Sequence, residues 1–489
     1  AAVFARRNGT GGEIARDATH DAFLLICGTW LHRDGYGTGA ADQLLARFLA
    51  VGAEQLADEL EGFFFLAAAR ANELLAITDI AGSHHAFVRQ LDDNSVVISG
   101  SSLVLGALAA SDIDPIAAQE FIRTGIIYED RTFYQQVRKL PPASVLYFRD
   151  GRLERALRYW HVEKLLEAPL ALPDAADRLY ETGTQTVARI AALYPRRLCD
   201  LTGGYDSRAL GALLLGANVS FDTTVSGDDE SADVKISRGL ADIAGLKHTQ
   251  RKRSTDLNTH DIERALALCD GEYDLLEYAR IMRTHEQHSQ SYDVSMNGSY
   301  GEVARGYWWE LLSPHIGQHT RLDYEKIARK RYAALDHGAE LFPEPLDLVR
   351  HFTEILRRNG SGLEDLPNTL QLDYSYLNLR MQRWQGRIAS STDQIWPCVS
   401  PLMFRSILEI MLRAEPRARH RSLLVRAMLA RHSPAWAKYP LEHGYPAQPF
   451  GIANAWRFLP LGAHYADKIV RRLKSKAAER LRATRASPA

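Results

Sequence analysis

Cysteine is scarce in this sequence: Cys27, Cys199, Cys269 and Cys398 are the only four among 489 residues, and no two form a Cys-x-x-Cys pair. That spacing excludes a zinc ribbon and a disulfide framework, and a reducing, cytoplasmic setting is expected. Net charge is scarce too. Fifty-nine Lys and Arg stand against 60 Asp and Glu, so no electrostatic footprint draws the chain to nucleic acid or to an anionic membrane. No apolar run reaches the roughly 18 residues of a membrane span, and the opening Ala1-Ala2-Val3-Phe4-Ala5-Arg6-Arg7 turns polar too soon for a signal peptide. No internal repeat or low-complexity stretch is evident. The length predicts roughly two to four domains with ample core. A small, neutral-to-polar partner is favoured.

What the chain does contain is one glycine-rich turn, Leu201-Thr202-Gly203-Gly204-Tyr205-Asp206-Ser207-Arg208. Residues 198–201 read as the end of a buried strand and residues 209–215 as a helix on a sheet, which puts the glycines at a strand-to-helix turn. Paired glycines allow a sharp turn with backbone N–H groups pointing at one spot, and the helix start adds unpaired donors and a positive dipole end. Phosphate is the expected ligand. An aspartate, Asp206, beside such a site implies that a cation accompanies it. No Gly-Lys-Ser/Thr closes the turn, so it is not a Walker loop. Thr-Gly-Gly-x-Asp-Ser resembles instead the Ser-Gly-Gly-x-Asp-Ser loop of the ATP pyrophosphatases, which holds the pyrophosphate that leaves when AMP is transferred.

Around this turn, strands alternate with helices: residues 174–193 helical, 219–225 a strand, 231–244 helical and 292–296 a strand. That pattern implies a doubly wound parallel sheet. Leu201-Thr202-Gly203, Val225-Ser226-Gly227 and Met296-Asn297-Gly298 are three strand exits of like chemistry. Ligands bind at such carboxyl ends, so the three should converge on one crevice.

The first half reads differently. Residues 22–26, 62–68, 73–78, 85–90 and 95–100 have the length and apolar density of strands, interrupted by a helix at 42–51. The landmarks Gly28, Leu60-Glu61-Gly62-Phe63-Phe64-Phe65, Ile77-Thr78-Asp79-Ile80-Ala81-Gly82, Ser99-Gly100-Ser101-Ser102, Leu140-Pro141-Pro142-Ala143 and Arg158-Tyr159-Trp160 resemble in order the class II glutamine amidotransferase domain of the asparagine synthetase family. The resemblance implies an Ntn-type αββα sandwich over 1–165. A Pro- and Leu-rich boundary follows at 165–173, and an ATP-pyrophosphatase domain with extra helices occupies 174–489.

Asn297-Gly298-Ser299-Tyr300-Gly301-Glu302-Val303-Ala304-Arg305-Gly306-Tyr307 resembles a segment of asparagine synthetases and β-lactam synthetase in which an aspartate, here Gly301, joins the loop aspartate in holding magnesium. Either Glu302 takes over as ligand or Asp206 binds the metal with water and phosphate alone. Asp393-Gln394-Ile395-Trp396-Pro397 resembles the segment that supplies the catalytic glutamate of β-lactam synthetase, with Ile395 in place of an arginine. The family's lysine falls on Glu442 by strict spacing and on Lys438 with a local insertion; Arg305, Arg383 and Arg387 are the other cations to consider. Arg383 and Arg387, one helical turn apart, read as an anion clamp or as an ion-paired face. The basic, amphipathic stretch from Asp467 reads as a surface helix.

These resemblances imply an ATP-dependent amide-bond-forming ligase with ATP and Mg2+ as cofactors. Its substrate would be a small-molecule or peptide carboxylate and amine, presented free or on a carrier or precursor peptide; closure of a lactam or macrolactam is the expected use. An intermolecular ligase taking free ammonia or another amine, and a non-catalytic partner protein of a biosynthetic cluster, are the alternatives. Expected roles are pyrophosphate binding for Thr202, Gly203, Gly204 and Ser207, with Gly298 facing them; metal binding for Asp206 and Glu302; adenosine binding for Val225, Ser226 and Gly227; and catalysis for Tyr300, Glu302, Asp393 and Lys438.

In the front half the departures from the family outweigh the matches. Its N-terminal nucleophilic cysteine is replaced by Ala1-Ala2, its glutamine-holding Asn-Gly-Glu by Cys27-Gly28-Thr29, and an acidic position by Ala40 or Ala41. Cys27 reads as strand core. Without thiolate and carboxylate the front half should not hydrolyse glutamine. Incubation with glutamine should yield no glutamate above the uncatalysed background; release at an ordinary enzymic rate would contradict this reading.

Overall fold

A computed structural model of the chain describes residues 12–252 and 256–462; the stretch from Asp467 and the opening residues lie outside the described residues. Among the described residues, nine strands build the front half: β1 Gly12–Asp17, β2 Ala22–His32, β3 Leu60–Arg70, β4 Glu73–Thr78, β5 Phe87–Gln90, β6 Val96–Ser99, β7 Val137–Lys139, β8 Ser144–Arg149 and β9 Arg152–Arg158. They form an antiparallel six-stranded sheet in the order β1-β2-β3-β4-β8-β9 and a three-stranded sheet β6-β5-β7. One face of the larger sheet packs on the helix Ala41–Glu59 through Leu24, Ile26, Leu44, Phe48, Leu56 and Phe64. Its other face meets the smaller sheet through Phe65, Ala76, Leu146 and Val88. The smaller sheet is capped in turn by the short helix Ser102–Ala107 through Leu105. Helix, sheet, sheet and helix are the four layers of an αββα sandwich.

β2 shows why the sequence reading stopped too early. Residues 22–27 alternate buried and half-buried as a two-sided strand should, but Gly28 to His32 are almost wholly buried on both faces. Gly28 is therefore no strand end. It sits within the strand at φ +88°, and a Cβ there would lie 2.1 Å from the Phe63 carbonyl oxygen, so only glycine lets the two strands close up.

Five parallel strands form the second sheet: β10 Arg197–Asp200, β11 Asp222–Ser226, β12 His248–Arg251, β13 Val294–Met296 and β14 Cys398–Val399. Their order is β12-β11-β10-β13-β14. The order reverses at β10, which makes its carboxyl end the topological switch point. The helix Tyr205–Gly216 after β10 is buried nearly all round, wedged between the sheet and the helices Leu172–Leu193 and Leu423–His432. β12 is not legible in the sequence because His248-Thr249-Gln250-Arg251 contains no apolar residue, and β14 because two residues are too short for a signal. Among the described residues no helix is long and apolar enough to cross a membrane.

The two halves share one continuous core. Fully buried Asp79 accepts N–H bonds from Ala81 and Ser83 at 3.0 Å and from His84 at 2.8 Å. It thereby shapes a turn that presents Ser83 to Tyr300 and Ser390, and His85 to the Gln382 carbonyl at 2.8 Å. A second buried device fixes the segment after β13. Arg419 donates from Nε to the Val303 carbonyl at 2.8 Å and lies 2.6 Å from Asp373, which also accepts from the Trp309 indole at 3.0 Å. Breaking one side of such a pair strands the other charge. Arg419→Met should therefore lower the unfolding free energy by about 3–5 kcal/mol in urea titration, with Arg419→Met/Asp373→Leu recovering much of the loss; an Arg419→Met protein as stable as the parent would remove this device from the account.

Candidate functional site

β10 delivers the chain to Leu201, and the turn 201–204 is built by its own polar groups. Thr202 and Ser207 hydroxyls bond each other at 2.9 Å, and the Ser207 hydroxyl also accepts from the Thr202 N–H at 3.0 Å. The Gly203 N–H donates to the Asp233 carboxylate at 2.8 Å and the Gly204 N–H to the Thr202 hydroxyl at 3.2 Å. This differs from the expectation of N–H groups converging on open space, because the turn spends its own amides on internal bonds. No described side chain caps the helix at Gly204, so donors left for an anion are those of its first turn, from Tyr205, Asp206 and Ser207. The missed residue is Asp233, one helix away, which no spacing rule connects to the turn.

β13 brings the segment 297–305 against this helix start. A Cβ at Gly298 would lie 2.5 Å from the Asp206 carbonyl carbon and 2.6 Å from the Ser207 nitrogen, and one at Gly301 would lie 2.7 Å from Asp206 Cβ and Oδ1. At Gly298 backbone meets backbone, and at Gly301 the backbone meets the Asp206 side chain. The closeness also delivers Arg305. Its Nε lies 2.8 Å from Asp206 Oδ1, and its Nη2 donates to Oδ2 at 2.8 Å. Its guanidinium sits about equally far from the rings of Tyr205 and Tyr307, at 6.0 and 5.9 Å. Burial pushes the Asp206 carboxyl up, Arg305 pulls it down and Glu302 pushes it up again, with a net upward shift. Glu302 is close enough to act on both partners, and its Oε2 is buried with no hydrogen-bond partner.

The magnesium that the resemblance implies finds a poor donor set here. Both Asp206 oxygens face a guanidinium, Gly301 supplies no donor, and among the described residues no group of three or more His, Cys, Asp or Glu could hold a metal ion. A hard cation needs several oxygen ligands; Asp206 Oδ1 and Glu302 Oε2 are buried without a hydrogen bond, but two oxygens beside a guanidinium fall short of such a set. These residues do not fit a resident magnesium.

Two of the three strand exits, those of β10 and β11, share one pocket, while the β13 exit lies against the helix start instead. Beside the turn, a pocket of about 320 Å³ is lined by Asp200, Thr202, Thr224, Val225, Ser226, Lys252, Arg280 and His285 among others. Gly227, at φ +150°, turns the chain away from it, and its carbonyl accepts from Gln250 at 3.0 Å. Burial and Arg251 bring the His285 imidazole down to about 4, so it is neutral at physiological pH and accepts from the Trp396 indole at 3.0 Å. A polar rim, a neutral ring and this volume suit a nucleoside-sized ligand. A larger cleft, about 760 Å³, lies elsewhere, where Pro141 and Arg158 of the front half face Tyr374 and Asn378. It contains none of the turn residues.

The remaining expected residues scatter. Tyr300 is buried with its hydroxyl on Ser83, and burial raises its pKa; it pins the halves together and does not face the pocket. Asp393 is buried, 3.7 Å from His84 of the front half. Lys438 is exposed and forms no ion pair among the described residues, but its segment is tied to the turn. Fully buried Arg208 donates to the carbonyls of Trp436 at 3.0 Å, Tyr439 at 2.8 Å and Pro440 at 3.0 Å. Arg383 and Arg387 are buried ion-pair partners of Asp270 and Glu272, so the clamp reading gives way to the structural one. In the front half, Thr29 bonds Tyr194 at 2.7 Å and Ala41 donates to Glu13 at 3.2 Å. The positions where the family holds glutamine are absorbed into packing.

Residues 36–160 match the glutamine amidotransferase domain family. Among curated proteins nothing matches the chain. Solved structures that resemble it include a predicted subunit of a tRNA methyltransferase from Methanocaldococcus jannaschii, 17% identical over 32% of this chain and 74% of that one, with a TM-score of 0.15. Another is a glutamine phosphoribosylpyrophosphate amidotransferase from B. subtilis, complexed with ADP and GMP, 9% identical over 49% of this chain and 47% of that one, with a TM-score of 0.21. A third, described as the allosteric regulatory enzyme of purine biosynthesis, is 9% identical over 53% and 60%, with a TM-score of 0.22. This chain thus covers less than two thirds of the last two, and at such scores none of the three lends it an activity.

Asp200 offers a test of the pocket's electrostatics. Burial pushes its carboxyl up to about 7, so between the unfolded value near 4 and pH 7 the folded state holds a proton that the unfolded chain has lost. Its stabilising contribution is full below that window and is lost as pH rises through 7. Between pH 5 and pH 8 the parent should lose about 1–2 kcal/mol more unfolding free energy than Asp200→Asn; parallel pH profiles would show that Asp200 is ionised throughout.

Proposed function

We propose that the chain is an ATP-dependent, AMP-forming amide ligase in which residues 174–489 carry the chemistry and the amidotransferase-type front half, 1–165, serves as a scaffold. The observation that supports this most is a nucleoside-sized pocket lined by the exits of β10 and β11 at the carboxyl end of the second sheet. In this reading the adenosine occupies the pocket between Ser226 and His285, and the phosphates lie over the first turn of the helix Tyr205–Gly216. A substrate carboxylate oxygen attacks the α-phosphorus, the bond to pyrophosphate breaks, and an amine then displaces AMP from the acyl-adenylate and gives up its proton. Holding both reactants in one crevice supplies most of the advantage. Glu302, with an unpartnered carboxylate oxygen beside the site, is the group placed to take that proton. Lys438 and Asp393 reach the reaction only if their segments close over it. In this reading the amine comes from the substrate itself, the front half serving as scaffold. The substrate is a small-molecule or peptide acid that carries its own amine.

A second reading has an observation of its own. The amides of Thr202, Gly203 and Gly204 are paired internally and Asp206 is clamped, which suits a partner protein that has kept the fold without the chemistry. Calorimetry with ATP separates the two. The ligase reading expects saturable binding, lost at least tenfold in Ser226→Tyr, where a ring would fill the pocket, and it expects AMP and pyrophosphate on addition of an amino-acid and peptide library. No ATP binding by a well-folded protein would favour the partner reading.

A further inference from the structure

Resting on the nucleotide-site reading above, we infer that Arg305 is the phosphate-binding cation of this site and that the chain binds polyphosphate without a divalent metal. The argument starts from the guanidinium's own inventory. Arginine carries five N–H donors in a rigid plane. The Nη2–Oδ2 bond to Asp206 uses one, while Nε lies 2.8 Å from Oδ1 and is buried without a hydrogen bond. Both Nη1 N–H groups and the second Nη2 N–H remain, and among the described residues no other hydrogen bond is made by Arg305. The side chain is 24% exposed, so part of the plane opens to solvent where the helix Tyr205–Gly216 begins. An arginine held edge-on by a carboxylate presents the rest of its fork to an oxyanion in a fixed direction, the arrangement in which guanidinium binds phosphate best.

Local geometry makes the substitution of cation for cation concrete. A side chain at Gly301 would meet Asp206 at 2.7 Å, so the space in which a second carboxylate would complete a metal site is closed. Arg305 fills the place beside Asp206 that a metal would need, and brings the charge with it. Tyr205 and Tyr307 lie at similar distances from the guanidinium and hold its plane. Asp206 is then a positioning residue for Arg305 and not a metal ligand. Glu302 adds one negative charge nearby, which sets a limit on how tightly an anion is held and makes the remaining guanidinium donors the decisive contact.

Calorimetric titration of the full chain with inorganic pyrophosphate and with ATP, each in excess EDTA and in excess magnesium, tests this. The expected result is binding in EDTA within about threefold of that in magnesium, reduced about tenfold or more in Arg305→Gln and less in Arg305→Lys, with the unfolding midpoint of each variant confirming the fold. Binding that appears only with magnesium would overturn the inference and leave the nucleotide site standing. Binding equal in parent and Arg305→Gln would overturn it as well. Absence of binding in all four conditions would overturn both the inference and the reading beneath it.

Discussion

The close approach of the segment after β13 to the start of the helix Tyr205–Gly216 is the constraint on which the site depends. Gly298 and Gly301 leave no room for a Cβ against Asp206 and Ser207, and that closeness alone brings Glu302 and Arg305 to the carboxylate. Arg419 and Asp373 hold the same segment from behind through the Val303 carbonyl, and Ser83 holds it from the front half through Tyr300. Three elements distant in sequence thus meet on one short turn. The sheet supplies the floor; this contact supplies the chemistry.

The architecture was largely legible in the sequence, for reasons that can be named. Short apolar runs in the first half and alternating strands and helices in the second carry the pattern, and the layers follow. The turn at Thr202–Gly204 and the exits at Ser226 and Gly298 were visible because glycine beside a polar residue at a strand end has few other uses. What escaped was everything set by long-range partners. β2 runs on through Gly28 because the second half covers it, and nothing local says so. Arg383 and Arg387 could be read as a clamp or a salt-bridged face until Asp270 and Glu272, more than a hundred residues away, were placed beside them.

The cation of the site was the least legible feature. Gly301 stands where the resemblance puts a carboxylate, and alone it suggests loss. The distance between Arg305 and Asp206 shows a guanidinium beside the carboxylate that remains, which spacing alone does not reveal. The front half teaches the complementary lesson: Thr29 and Ala41 hydrogen-bond to Tyr194 and Glu13, and a match to the amidotransferase family over residues 36–160 does not by itself establish the activity.

The central claim is that nucleotide binds at the carboxyl end of β10, and the most direct measurement is an experimental structure of the full chain with a non-hydrolysable ATP analogue. The account predicts the base and ribose between Ser226 and His285, with the phosphates over the first turn of the helix Tyr205–Gly216 and within hydrogen-bond distance of Arg305. An analogue lodged in the larger cleft between Arg158 and Asn378, or none bound at saturating concentration, would contradict it.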